Sequence, residues 1–357
     1  MKFSIFHQVE RYDDSISHRQ LQEELKDITL QAEAGGFDKV WIGEHHGMEF
    51  TVSPNAFISL AYLASITSTI RLGTGTVIAP FYNPIRLAGE IGQLDVMSNG
   101  RLEVGIARGA YNFEYDRQFP NQEKFTGETR KADLAWDAGL RMRELVPATQ
   151  KVLEGNYAHE GTYFQFPTST AVPRPIQQPY PPMWIAARDP NTHAFAVANN
   201  CNVQVTPLSM GDGEVENLME KFKSACAEHP DKPRPDVMVL MHAYCAETEE
   251  ELQEGARNIE EFFHYFMKWF KDDRPIDMGQ IEPVTEEERA ANPQYSAQVM
   301  RKNMLIGTPA EIIERLKKFE ALGYDEFSIW LDSHMNYEQK RKSVQLFIDH
   351  VLPAFKK

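Results

Sequence analysis

At 357 residues, with 42% hydrophobic and 25% charged side chains, the chain is long enough to bury a large core and too apolar to be disordered. Against 52 Asp and Glu stand 37 Lys and Arg, and the net charge of −15 disfavours a phosphate backbone or an anionic membrane as a partner. Residues 1–14 set Glu10, Arg11, Asp13 and Asp14 beside a very short apolar run, so no secretory signal is expected. The longest mostly apolar stretch, 56–66, falls short of the roughly 20 residues that cross a bilayer. Cys201, Cys226 and Cys245 match no zinc or redox spacing, and a cytoplasmic setting with free thiols is expected.

Residues 3–7 read as a buried strand. Residues 17–34 follow with Leu21, Leu25, Ile28, Leu30 and Ala32 and stop at Gly35-Gly36, the pattern of a helix closed by glycine. A second strand, 39–43, precedes a helix for which Ser53 is the expected cap and Pro54 the first turn. Residues 70–79 form a third strand with its helix at 84–97, and Asn99-Gly100 turns into a fourth strand at 101–107. The rhythm then breaks. Residues 111–127 are long and polar, a helix is expected at 130–145, and 157–166 alternates as a hairpin around Glu160-Gly161, so 110–181 reads as an insertion holding a helix and a hairpin.

A proline-rich connector, 173–182, leads into a fifth strand at 183–186 and a helix at 191–199. Strands six to eight fall at 203–206, 237–246 and 326–331, with helices at 213–227, 249–270, 309–322 and 337–351. Residues 272–303 carry Pro275, Pro283, Pro293 and the run Glu286-Glu287-Glu288, which rules out one continuous helix and reads as a mobile lid or a solvated loop. Eight strands alternating with helices predict one α/β domain over 1–357, a (β/α)8 TIM barrel with insertions after strands four and seven. The rival, an open doubly wound sheet, needs a phosphate-binding glycine run after its first strand, and residues 7–17 contain no glycine.

Barrel chemistry gathers at the carboxyl ends of the strands, which singles out Glu44-His45-His46 after the second strand. These side chains suit general acid and base work near neutral pH, or a metal. A barrel metallohydrolase using all three is therefore one reading, although adjacent histidines on a strand point to opposite faces. Arg108 and Arg188 end the fourth and fifth strands beside small residues; they form a local phosphate site, or else pair with carboxylates across the rim. Phe81, Tyr82, Tyr111, Phe113 and Trp330 bring large apolar surfaces to the same mouth, as a substrate pocket or as ordinary core.

The ordered set of Trp41-Ile42-Gly43-Glu44-His45-His46, Arg71-Leu72-Gly73-Thr74-Gly75-Thr76, Asn83-Pro84-Ile85-Arg86, Asp95-Val96-Met97-Ser98-Asn99-Gly100-Arg101, Gly105-Ile106-Ala107-Arg108-Gly109, Tyr157-Ala158-His159-Glu160-Gly161, Leu305-Ile306-Gly307-Thr308-Pro309 and Val351-Leu352-Pro353-Ala354-Phe355 resembles the luciferase-like flavin-dependent monooxygenases nearly end to end. The resemblance implies a barrel that binds FMN at its strand ends, commonly as reduced FMN from a separate NAD(P)H:flavin reductase. Through a flavin C4a-hydroperoxide formed with O2, such an enzyme inserts one oxygen atom into a small organic substrate.

By position in that family, His45 is the catalytic base, flanked by Glu44, expected to orient it, and by His46. Arg108 is a phosphate arginine and Arg130 resembles a second. Gly75, Thr76, Ala107, Ala187, Arg188 and Asn191 fall along the cofactor, and a non-prolyl cis peptide is expected at Gly75-Thr76. Arg188 and Asn191 stand where the family has small hydroxyl residues, and Ala107 where luciferases have a reactive cysteine, so light emission is not implied. A homodimer is expected, with no metal. A deazaflavin- or FMN-dependent dehydrogenase and a flavin-storage protein are the alternatives on the same fold. The residues leave the substrate open among an aldehyde, a terpene ketone and a nitrogen heterocycle.

Overall fold

A computed structural model describes residues 1–118, 130–271 and 274–356, the side chains of 130–136 excepted. In chain order the first half holds β1 (Lys2–His7), α1 (His18–Gly35), β2 (Lys39–Ile42), α2 (Ala56–Ile66), β3 (Arg71–Ile78), α3 (Pro84–Met97), β4 (Leu102–Ala107), α4 (Asn112–Gln118), α5 (Arg130–Glu154), and the hairpin β5 (Tyr157–Glu160) and β6 (Gln165–Ser169). The second half holds β7 (Met183–Ala186), α6 (Pro190–Ala198), β8 (Asn202–Val205), α7 (Asp212–Glu228), β9 (Val237–Cys245) and α8 (Glu249–Trp269). It continues through β10 (Ile276–Asp277), β11 (Gln280–Ile281), α9 (Glu286–Ala290), α10 (Ala297–Asn303), β12 (Leu305–Gly307), α11 (Pro309–Leu322), β13 (Glu326–Trp330) and α12 (Tyr337–Leu346).

Strands β1, β2, β3, β4, β7, β8, β9 and β13 pair in that order, all parallel, and β13 returns to β1. This is the closed eight-stranded barrel that the alternation predicted, with β5 and β6 forming a separate two-stranded sheet. A further parallel strand, β12, was not anticipated. Strand β9 is long enough to pair with β13 through Met238 to His242 and then with β12 through Ala243 to Cys245.

Three boundaries differ from expectation for local reasons. The cap of α2 is Asn55, whose side chain accepts from Ile58 N, so Pro54 precedes the helix; the Ser53 carbonyl instead accepts from His45 N at 3.1 Å. The helix expected to stop at 145 continues through Pro147 to Glu154, and Leu145, Val146, Ala148 and Val152 are all buried on its inner face. That packing outweighs the one backbone bond that proline forfeits. The stretch read as long and polar after Tyr111 contains α4.

The barrel floor is a charged and aromatic layer. Lys39 Nζ lies 2.8 Å from both Glu103 Oε2 and Glu326 Oε2, and all three groups are buried. Trp184 Nε1 donates to Glu103 at 2.6 Å, and Trp41 Nε1 donates to Ser4 Oγ and Glu326 Oε1 at 3.1 Å each. Such a layer holds only if every charge is met, because a buried unpaired ion is costly. The Trp41 ring fills the space beside Gly73, where a Cβ would lie 2.0 Å from it.

Candidate active site

Above this floor the strand ends divide into two walls. On β3, β4 and β7 the inner positions are Gly75, Ala107 and Ala186, none of them fully buried, so this side presents backbone and methyl groups. Gly75-Thr76 is a non-prolyl cis peptide, and a Cβ on Gly75 would press on Phe6 and Trp41 at 3.1 Å. The opposite wall is aromatic. Phe6, Trp330 and His242 lie level by register, with Phe6 and Trp330 ring centroids 4.9 Å apart and Trp330 stacked on His242 at 4.4 Å. Helix α8 lays Phe262 and Phe266 over Trp330 at 5.3 and 6.3 Å.

The Glu44-His45-His46 loop closes the mouth. His45 Nδ1 is 3.0 Å from Glu114 Oε2 on α4, and Glu114 Oε1 accepts from His46 N at 2.7 Å. An ionised carboxylate only accepts, so the neutral tautomer that suits this pair carries its proton on Nδ1 and leaves Nε2 as the basic atom. The His45 ring lies 4.8 Å from Tyr111, which in turn touches Phe270 at 4.8 Å and Phe266 at 6.2 Å.

Glu44 does not orient His45, contrary to expectation. Its carboxylate accepts from Tyr82 OH at 2.7 Å and from Ile78 N at 3.4 Å, and it meets His46 Nε2 at 3.3 Å. Glu44 thus ties the ends of β2 and β3 together, and burial with its charge pushes the Tyr82 phenol far above the ordinary range. Because His45 and His46 turn to different carboxylates, they do not converge on one point. Among the described residues no group of three or more His, Cys, Asp or Glu is placed to hold a metal ion.

The other expected site residues fall around the same mouth. Phe81 is 4.9 Å from His46, whereas Phe113 is buried against Trp269 at 5.3 Å under the Arg117 guanidinium. Arg108 is exposed at the end of β4, and its carbonyl accepts from Tyr115 OH. Arg188 is 41% exposed with Nη2 3.3 Å from Glu214 Oε1, so it already has a carboxylate across the rim. Asn191 is exposed in the first turn of α6, capped by Asp189, and Ala187 is buried beneath it. Arg130 begins α5, and its side chain lies outside the described residues.

Several groups escaped the sequence reading. Glu114 sits in a polar run and meets His45 only through the fold, although its place shortly after the fourth strand end was a usable signal. The aromatic face of α8 was visible as six aromatic residues over 262–270. Glu10, just past β1, accepts from Trp330 Nε1 at 3.2 Å, Tyr12 OH at 2.6 Å and His334 N at 3.1 Å. Burial, reinforced by Asp332, pushes its carboxyl up to about 8.

The family profile described as luciferase-like monooxygenase matches residues 1–326. The chain is 49% identical over 355 residues to the oxygenase component of a flavin-dependent trigonelline monooxygenase of Acinetobacter baylyi, covering 99% of this chain and 96% of that one. Among solved structures, monooxygenase RslO1 from Streptomyces bottropensis superposes with a TM-score of 0.81 at 25% identity over the whole of both chains. The oxygenating constituent of 3,6-diketocamphane monooxygenase from Pseudomonas putida, solved with FMN, shares the fold at a TM-score of 0.72 and 18% identity over 99% of this chain and 98% of its own. No helix among the described residues is long and apolar enough to cross a membrane. With the barrel closed, the histidine loop at its mouth and the family profile spanning most of its length, the chain belongs to the luciferase-like monooxygenases and is an enzyme of that family.

Proposed function

We propose that this protein is the oxygenase component of a two-component monooxygenase, in which a separate NAD(P)H:flavin reductase supplies reduced FMN and the barrel uses it with O2 to place one oxygen atom on a small organic substrate. The observation that carries this reading is the 49% identity, over nearly the whole chain, to the trigonelline oxygenase component. The same likeness favours an N-methylated pyridine carboxylate as the substrate class. That class carries a pyridinium charge as well as a carboxylate, and the Tyr111, Phe266 and Phe270 rings beside Glu114 suit its cationic ring.

The mouth fits FMN. A wall of Gly75, Thr76, Ala107 and Ala186 accepts a flat ring, and Arg108, Arg130, Arg188 and Asn191, above buried Ala187, are assigned to the phosphate. Bound reduced FMN supplies the electrons that activate O2. His45 then moves a proton at Nε2, held in register by Glu114, while Tyr111, Phe81 and Trp330 line the substrate side and exclude water. Tyr82 and Phe113, engaged with Glu44 and Trp269, support that surface from behind. Segment 272–303 is assigned to the cover of the mouth; its described part is pinned to the histidine loop by Glu49 N donating to Gly279 O at 2.8 Å.

Incubation with reduced FMN, labelled O2 and a panel of N-methylpyridine carboxylates tests this reading, with one labelled oxygen expected in the product. Oxidation that consumes no O2, or turnover with a deazaflavin alone, would reject it. Arg188→Ala should weaken reduced FMN by roughly tenfold, since charge-assisted bonds contribute on the order of 1.5 to 3 kcal/mol and this arginine is partly exposed. An unchanged dissociation constant removes Arg188 from the site.

A homodimer completes the proposal. Helix α2 has no charged residue over its 11 positions, yet Ile58 is 71% and Tyr62 39% exposed on one face. In sedimentation equilibrium the wild type should behave as a dimer and Ile58→Asp as a monomer; a monomeric wild type contradicts this assignment.

A further inference from the structure

We propose that His242 is the hydrogen-bond acceptor of the barrel mouth, its bare Nε2 taking a ring N–H of the bound flavin; this rests on the FMN reading above. His242 lies on β9 in register with Trp330 on β13, and Trp330 is in turn level with Phe6 on β1. Met238 reaches Ser4 Oγ across the interior, so the alternation of the strand carries Leu240 and His242 inward as well. The ring is 1% exposed, stacked on Trp330 at an interplanar angle of 19° and flanked by Phe262 and Phe263 at 4.4 and 4.9 Å.

Its tautomer follows from the bonds around it. Ser333 Oγ donates its only hydrogen to Trp330 O, 3.2 Å away, because a carbonyl can only accept. The same oxygen lies 2.7 Å from His242 Nδ1, and with the serine hydrogen on that carbonyl it accepts from an Nδ1–H. The backbone that presents Ser333 is left-handed at two successive non-glycine residues, Ser333 (φ 44°) and His334 (φ 62°), a conformation that persists only where its surroundings enforce it. Burial pushes the imidazole down to about 3, so it stays neutral, and Nε2 keeps a lone pair with no partner.

A buried acceptor left unmet is costly, and a donor that arrives with a ligand relieves that cost. Leu240, one inward position below His242 on the same strand, is partly exposed, so the barrel interior has open space there. The proposed substrate class offers no N–H or O–H when its carboxylate is ionised. The flavin ring does, through N3–H in both oxidation states and, in the reduced state alone, through the hydrogens that reduction adds at N5 and N1.

His242→Phe preserves the stack on Trp330 and deletes the acceptor. Anaerobic titration of the variant with reduced FMN, and a parallel titration with oxidised FMN, should show reduced FMN bound about tenfold more weakly than by the wild type. A loss confined to reduced FMN assigns the donor to a hydrogen that reduction adds, at N5 or N1, and an equal loss in both assigns it to N3–H; either supports the proposal. Unchanged affinity for both forms overturns it, whereas a wild type that binds neither form rejects the FMN reading itself. Should the variant fail to fold, 15N-histidine-labelled wild type decides the matter: the Nε2 resonance of His242 should move on addition of FMN, and a stationary resonance overturns the proposal.

Discussion

Product formation by His45→Ala should fall by roughly 100- to 10,000-fold, the range that general acid or base help supplies, while reduced FMN binds within about threefold of the wild type. The split follows from geometry, since His45 faces Tyr111 and Glu114 at the mouth whereas Arg108 and Arg188 lie exposed past the ends of β4 and β7. The variant should still consume O2 and release hydrogen peroxide in place of product. Glu114→Gln should give an intermediate loss, because it keeps the shape of the pair but removes the anion that fixes the Nδ1 proton. Chelator should leave the wild type unaffected. Wild-type coupling of O2 to product in His45→Ala would move the assignment to His46, which Glu44 holds.

Lys39→Met should destabilise the fold by about 3 to 5 kcal/mol, the cost of breaking a buried ion pair from one side. The lysine lies between Glu103 and Glu326 with its side chain 3% exposed; Arg71 still reaches Glu103, but Glu326 loses the cation that meets it among the described residues. The double variant Lys39→Met/Glu326→Gln removes both charges and should recover a large part of the loss. Urea unfolding measures both, and a single-variant loss under about 1 kcal/mol would show that the floor relaxes to admit water.

Barrel architecture was legible because its signals are local. Strand 39–43 and helix 17–34 each carry their own periodicity and their own stop, and summing such units leads to eight strands. Strand β12 was not legible because three residues have no period, and its partner is the upper half of β9. The helix expected to stop at 145 runs on through Pro147 because the rule against proline inside a helix is local, whereas the packing that overrides it is not. In the site, Glu44-His45-His46 announced itself by position, but the division of labour within it did not. Which carboxylate holds His45 is decided by how α4 folds back over β2, bringing together residues 69 positions apart.

Glu10 makes the folding of this barrel a proton-binding reaction. Its carboxyl passes from an ordinary value of 4.5 to about 8 when Trp330, Tyr12 and His334 close around it. The folded chain therefore holds a proton there that the unfolded chain has released, and this contribution to stability is complete below about 4.5, declines as pH rises, and is gone above about 8. Asp332, whose carboxyl Lys340 and His7 hold far below its usual range against the cost of burial, acts with the opposite sign and is felt only in acid. Buried His242 and His193, held well below 6.5 in the folded chain, add a slope of opposite sign up to that pH, so the comparison that isolates Glu10 is with its own variant: the urea midpoint of the wild type should drop between pH 5 and 8 relative to Glu10→Gln, as alkali loosens the corner of the barrel that carries Trp330 and, stacked upon it, His242.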